Sequence, residues 1–255
     1  MQFDNKLQLL LARTLFQKNP VVIYCLRGKQ ILVDHSSGDE NGTRDAITSP
    51  MYKQFLVKMK LLEQVNVLDF GANGGGFPLM LELNGVSIQK VACIEFNPNT
   101  YSRLRFNMER NVQAEFVGFN VAVCGEKQEF DVALGSGGTG DTLYQDNEEQ
   151  NGREKRHFKI PGLTFDDIYA AAFGEERVDI CKIDVEGAEY DIFATPSHEC
   201  LRRCTYLIME IHSHSTKEKG FVVDELTRLG FEEISRDAAV HPDVYLFQNT
   251  DAVAG

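Results

Sequence analysis

The stretch VLDFGANGGGF, residues 67–77, decides how the rest of the chain is read. An apolar run ends on the carboxylate Asp69, and Gly71, Ala72, Asn73, Gly74, Gly75 and Gly76 follow with little side-chain bulk. A turn that lean lets another group approach its backbone closely. Upstream, "VNVLDF" from Val65 has the pattern of a buried strand, and downstream "FPLMLELNG" has that of a helix. "VACIEF" (91–96) is a second strand, Asn97-Pro98-Asn99 opens a helix over 98–111, and "EFVGFNVAV" (115–123) is a third strand. The rhythm resumes with a helix at 164–173, a strand at 178–184 and a helix from about 186. A strand at 206–212, a helix at 216–229 and strands near 231–236 and 243–248 complete it. Strand–turn–helix units in series need crossover helices between parallel strands, so the expected fold is a doubly wound, mainly parallel α/β sheet.

Two regions stand outside that rhythm. Residues 1–64 read as an accessory cap on a domain spanning 65–250: a helix at 4–18, a hairpin over 21–36, a polar patch at 36–49, and a helix from Pro50 to about Glu63. Proline suits a first helical position because its missing N–H would have no partner there. Residues 125–162 read as an inserted hairpin with a Gly-rich, charged tip. A lid closing over a second substrate would use Thr139, Asp141 and Thr142. The final "AVAG" reads as disordered.

A chain of 255 residues can bury a sizeable core as one large domain. Its 26 basic and 38 acidic residues give a net charge of −12, with no basic cluster. Such a field repels phosphate backbones and anionic lipid, which argues against a nucleic-acid or membrane partner. Self-association as a homo-oligomer stays open. The six cysteines show no CxxC spacing, and most lie in apolar runs where a thiol packs as a small hydrophobe. "MQFDNKLQLLLARTLF" has neither a basic leader nor an apolar stretch long enough for export or spanning, so a cytoplasmic protein is expected.

In an open parallel sheet, ligands bind beyond the carboxyl ends of the strands. Asp69, Glu95, Asp184 and the pair Glu210/His212 stand at four such ends. In dinucleotide sites the glycines come as GxGxxG with the acidic residue about 20 positions later. Here the carboxylate precedes the first glycine, an order suited to a ligand bearing an ammonium group. S-adenosylmethionine (SAM) fits: its ammonium would face Asp69 beside Gly71, Ala72, Asn73 and Gly74. Glu95 would accept both ribose hydroxyls, having two acceptor oxygens. Phe96 and Asn97 follow on the same turn, Phe96 to stack on the adenine, and Asn120 could approach its edge. A nucleotide-binding oxidoreductase and a non-catalytic SAM-binding module are the competing readings. An RNA methyltransferase would share the cofactor site but lacks a basic arm here.

"VLDFGANGGGF", "IEFNP", "FNVAV", "LTFDDI", "CKIDVEGAEYDIF" and "IMEIH" together resemble the FkbM-type family of SAM-dependent methyltransferases, from about Val67 to His212. The resemblance implies a seven-stranded sheet of the class I methyltransferase fold. It also implies methyl transfer to a hydroxyl of a sugar, glycolipid or natural product, with S-adenosylhomocysteine (SAH) as product. Gly76 stands where relatives tend to carry a bulkier residue, and Pro78 follows it. Because the sulfonium is already activated, the protein must orient the acceptor and remove its proton. His212 or Asp184 is expected as the base, with Glu186 and Glu210 orienting the acceptor. Glu189 is expected to cap a helix or to pair with Lys182 or an arginine, and His214 to be a loop residue. No metal ligand is assigned; a magnesium-type ion held by these carboxylates and His212 is the less favoured alternative.

Overall fold

A computed structural model describes residues 3–15, 20–36, 40–134, 156–214, 216–237 and 241–253. The chain begins with α1 (Lys6–Leu15) and a hairpin of β1 (Val21–Leu26) and β2 (Lys29–Asp34). Its two-residue loop has positive φ at both Arg27 (48°) and Gly28 (83°), the geometry that matches strand twist in tight hairpins. A π-helical turn (Glu40–Arg44), α2 (Asp45–Thr48) and a 3-10 turn (Lys53–Lys58) follow. Residues 40–48 of the polar patch are therefore helical, and the helix expected to reach Glu63 is only that 3-10 turn. The difference is tertiary: the backbone turns extended at Met59, and the Lys60 N–H is spent on the Tyr206 hydroxyl.

The alternating units come next: β3 (Val65–Phe70), α3 (Gly76–Leu83), β4 (Ile88–Ile94), α4 (Pro98–Asn111) and β5 (Glu115–Phe119). Asn97 caps α4, accepting the Asn99 N–H, with Pro98 at the first helical position. The expected third strand breaks at Asn120, whose side-chain amide donates to the carbonyls of Glu95 and Phe96. The chain turns there, and β6 (Ala122–Val123) joins a small second sheet with β7 (Gln128–Leu134) and β8 (Arg156–Leu163). β7 and β8 pair antiparallel, as a hairpin should. Thr139, Asp141 and Thr142, the lid candidates, lie outside the described residues.

Then come α5 (Phe165–Phe173), β9 (Val178–Ile183), α6 (Glu189–Ile192), a 3-10 turn (Glu199–Arg203) and β10 (Cys204–Glu210). α7 (Lys219–Arg228), β11 (Phe231–Asp237), β12 (His241–Asn249) and α8 (Thr250–Val253) close the chain. Ala252 and Val253, expected to be disordered, thus belong to a short helix. Thr164 and Asp167 form a reciprocal capping box that starts α5.

The main sheet has seven strands in the order β11-β12-β10-β9-β3-β4-β5. All neighbours from β10 to β5 are parallel, and β12 runs antiparallel to both β10 and β11. Apolar residues cover both faces. Leu68, Phe70, Ile183 and Met209 pack on α5 and α7, while Val67, Cys93, Ile180 and Ile208 pack on α3 and α4 with Tyr52 and Phe55. The N-terminal hairpin forms its own cluster against Leu79 of α3. From β3 the chain builds outward to β4 and β5, then returns to place β9 on the other side of β3. Strand order reverses between β3 and β9, so their carboxyl ends part and leave a crevice.

Candidate active site

The crevice is a cleft of about 250 Å³ at that reversal. Gly71, Ala72, Asn73, Glu95 and Phe96 wall one end, and Asp184, Glu186 and Glu210 wall the other. Gly71 is required by packing: a Cβ there would lie 1.7 Å from the Asp184 carbonyl oxygen, so the two strand ends could not close up.

The turn keeps its N–H groups for the protein. Gly71 and Ala72 donate to the Ile94 carbonyl, Asn73 to Glu95 Oε2, Gly74 to Thr43 Oγ1, and Gly75 to the Ala72 carbonyl. Five consecutive donors are thus satisfied internally, so the turn is not a phosphate cradle of the kind a dinucleotide needs. Glu95 accepts the Asn73 N–H at 3.1 Å and the Asn97 N–H at 2.8 Å, which fixes its carboxylate at the cleft wall.

Four expected ligand residues are used otherwise. Asp69 is fully buried and absent from the cleft wall; its Oδ1 lies 3.4 Å from Lys182 Nζ. Its position in β3 turns it toward the face that holds Lys182 and Tyr52, beneath the cleft floor. Asn97 is buried as the cap of α4, and Asn120 spends its amide on backbone carbonyls. Gly74 packs against Thr43.

Burial drives the Asp69 carboxyl up to about 6, because Lys182 opposes the effect only partly. Lys182 is nearly buried, yet its ammonium is held above its ordinary value: burial lowers it, and Asp184 and Asp69 together more than reverse that. The two shifts differ because one cation serves two anions. Lys182 gains from both, whereas Asp69 receives a shared partner. Asp184 takes the other half, with Oδ2 3.4 Å from Lys182 Nζ and accepting the Tyr52 hydroxyl at 2.9 Å. Burial and the Asp184 charge keep the Tyr52 phenol protonated.

Beyond Asp184 stands a second charge cluster. His212 Nε2 lies 3.4 Å from Glu186, and 3.9 Å from both Asp184 and Glu210. Its Nδ1 is 2.8 Å from Oε1 of the fully buried Glu189, which also accepts the Val185 N–H. Glu189 therefore serves His212, where Lys182 or an arginine was expected. Burial alone would lower the imidazole's pKa; the bond to Glu189 and the charges of Asp184 and Glu186 raise it to about 9. Burial raises the Glu186 carboxyl to about 7, with His212 opposing and Asp184 adding. Burial and Asp184 bring Glu210 to about 7 as well. His212 thus stands behind the residues that line the cleft, and Asp184 Oδ2 is already shared between Lys182 and Tyr52.

Sequence reasoning missed the cleft's roof. Asn41, Gly42, Ala46, Met51 and Tyr52 line it from the N-terminal segment, and Val121, Ala122 and Val123 line it after the break at Asn120. No motif marks Tyr52. Lys182 carried a usable signal: a charge inside an otherwise apolar strand must be paired when buried.

The FkbM methyltransferase domain family matches residues 69–233. The chain belongs to that family. No curated protein matches it. Among solved structures, the methyltransferase FkbM of Methylobacillus flagellatus KT is 14% identical with a TM-score of 0.47, over 78% of this chain and 47% of that one. The chain thus spans about half the length of that structure. M. capricolum TrmK bound to SAH is 11% identical with a TM-score of 0.42, covering 80% and 70% of the two chains. P. horikoshii TYW2 bound to MeSAdo is 13% identical with a TM-score of 0.43, covering 90% and 69%. Such distant likenesses carry no information on what this FkbM-family methyltransferase modifies. Asn41 to Tyr52 of its cleft come from outside the matched region.

Proposed function

We propose that this methyltransferase uses SAM to methylate a hydroxyl of a small molecule such as a sugar, glycolipid or natural product. One observation carries the reading: the cleft at the strand-order reversal brings the Glu95 carboxylate together with a wall of three further carboxylates, Asp184, Glu186 and Glu210. The adenosine end lies along Gly71–Asn73 and Glu95, with Phe96 against the adenine. The sulfonium sits toward Asp184, where the acidic wall favours its positive charge.

Methyl transfer forms a carbon–oxygen bond as the sulfur–methyl bond breaks, and the acceptor's proton must leave. The carboxylates of Glu186 and Glu210 face the cleft and receive it. Tyr52 and Lys182 hold Asp184, and Glu189 holds His212, so the wall's charge is fixed before the acceptor arrives. Residues 1–64 act as a cap that roofs the cleft rather than as an independent domain. The acidic wall and the net charge of −12 disfavour a nucleic-acid acceptor. All six cysteines are free thiols, which supports a reducing, cytoplasmic location. Among the described residues no helix is long and apolar enough to cross a membrane.

SAH should bind in calorimetry and raise the melting temperature; at 100 times its dissociation constant the gain is about 2.7 kcal/mol. NAD should do neither, because the turn offers no free donors to a pyrophosphate. Glu95→Ala should weaken SAH by roughly 10-fold or more, the loss of one charge-assisted contact. A protein indifferent to SAH would end the proposal.

A further inference from the structure

We propose that Asp184, Glu210 and His212 hold one divalent cation of the magnesium or manganese class at the acceptor end of the cleft. The inference deepens the methyl-transfer reading and rests on it.

The ends of β9 and β10 bring three donor atoms within 4.8 Å of one another. His212 Nε2 stands 3.9 Å from Asp184 Oδ1 and 3.9 Å from Glu210 Oε1. Those separations are too long for hydrogen bonds. Two donors bound at about 2.1 Å to a shared ion can stand up to about 4.2 Å apart, so the observed spacing fits an ion between them. A second observation concerns the far side of the ring. Glu189 is fully buried, and its Oε2 has no hydrogen-bond partner, while its Oε1 takes Nδ1 at 2.8 Å. A buried carboxylate in that position holds the proton on Nδ1 and leaves Nε2 as the ring atom nearest Asp184, Glu186 and Glu210. This is how ligating imidazoles are oriented from behind.

The donor set names the class of ion. Two carboxylates with one imidazole and no thiolate suit a hard divalent cation. Asp184 and Glu210 both line the cleft, so the remaining coordination positions face the space where the acceptor would lie. An acceptor with two adjacent oxygens would chelate the ion there, which narrows the substrate class to vicinal diols and hydroxy-carbonyl compounds. The ion would make the bound hydroxyl more acidic. Its proton passes to Glu186, its oxygen takes the methyl carbon, and the sulfonium keeps the electron pair of the broken bond and leaves as SAH.

The 255-residue chain, treated with chelator and titrated with Mn2+, tests this by electron paramagnetic resonance, in which the free aquo-ion signal disappears on binding. One equivalent should bind per chain with a dissociation constant of about 1 mM or tighter. Pulsed spectra should show nitrogen coupling from one directly bound imidazole. Glu210→Gln and His212→Ala should each abolish that site, and Glu189→Gln should weaken it roughly 10-fold, with SAH affinity kept. Should these variants not fold, the nitrogen coupling in the unmutated protein decides alone. Binding only above about 5 mM, several equivalents without nitrogen coupling, or equal affinity in the variants would mean an adventitious ion only. Protein that binds SAH but not Mn2+ overturns the cation site and spares the methyl-transfer reading. Protein that binds neither overturns both.

Discussion

Lys182 shows how one side chain sets the charge state of its neighbourhood. It reaches from an apolar strand to two carboxylates and lies 3.4 Å from each, with little room for water. Asp69, sharing that cation, binds its proton more tightly when folded than when unfolded. The consequence for stability follows from linkage. A carboxyl raised from about 4 to about 6 on folding favours the native state below that window and costs it above, by roughly 3 kcal/mol in full. Asp69→Asn removes the titration. Between pH 4 and pH 6, unfolding by urea should therefore show the native protein losing stability relative to the variant as pH rises. A difference that stays flat across that range would show that Asp69 titrates normally.

At the scale of elements, the Gly-rich turn is shaped as much by its neighbour as by any ligand. The π-helical turn lies directly on it. A Cβ at Gly74 would stand 2.2 Å from Thr43 Oγ1, and one at Gly76 would stand 2.5 Å from the Thr43 carbonyl oxygen and 2.8 Å from Ala46 Cβ. A glycine at position 76 is thereby explained: it makes room for the segment that roofs the cleft. Gly74→Ala should cost about 1–3 kcal/mol through overpacking. Thr43→Ala in the same chain should restore part of that, since the nearest clash is with the hydroxyl alone. Thermal melts of the two single variants and the double variant measure this, and additive losses would refute it. Strands β3, β4, β9 and β10 were legible as apolar runs and α4 by its Asn-Pro start. The π-helical turn and α2 were not, because their polar residues are ordered by docking on those glycines rather than by any periodicity of their own.

Across the whole molecule, one buried side chain among several ties the N-terminal cap to the α/β core. Asn107 of α4 accepts the Leu32 N–H at 2.6 Å and donates to the carbonyls of Leu32 and Gly74 at 3.0 Å and 2.7 Å. It thus ties the hairpin to the Gly-rich turn. Cap and sheet should unfold in a single transition, and Asn107→Ala should lower its midpoint by stranding buried polar groups worth about 1–3 kcal/mol each. Circular dichroism and hydrogen exchange would reveal a separate, earlier release of residues 1–64 if the cap were merely attached.

The sequence by itself determined the parallel α/β order and the acidic residues at or near four strand ends. Those follow from local patterns: apolar runs, turn residues, and the rule that side chains at strand ends share one rim. Only the tertiary structure decided which carboxylates face the cleft. Asp69 and Asp184 both meet Lys182, but Asp69 is paired within β3 opposite Lys182, whereas Asp184 stands one residue beyond the end of β9 and lines the cleft. It also decided that Glu189 serves His212 and that Tyr52 reaches Asp184 from 132 positions away. Contacts between residues so distant along the chain depend on packing that no local spacing encodes.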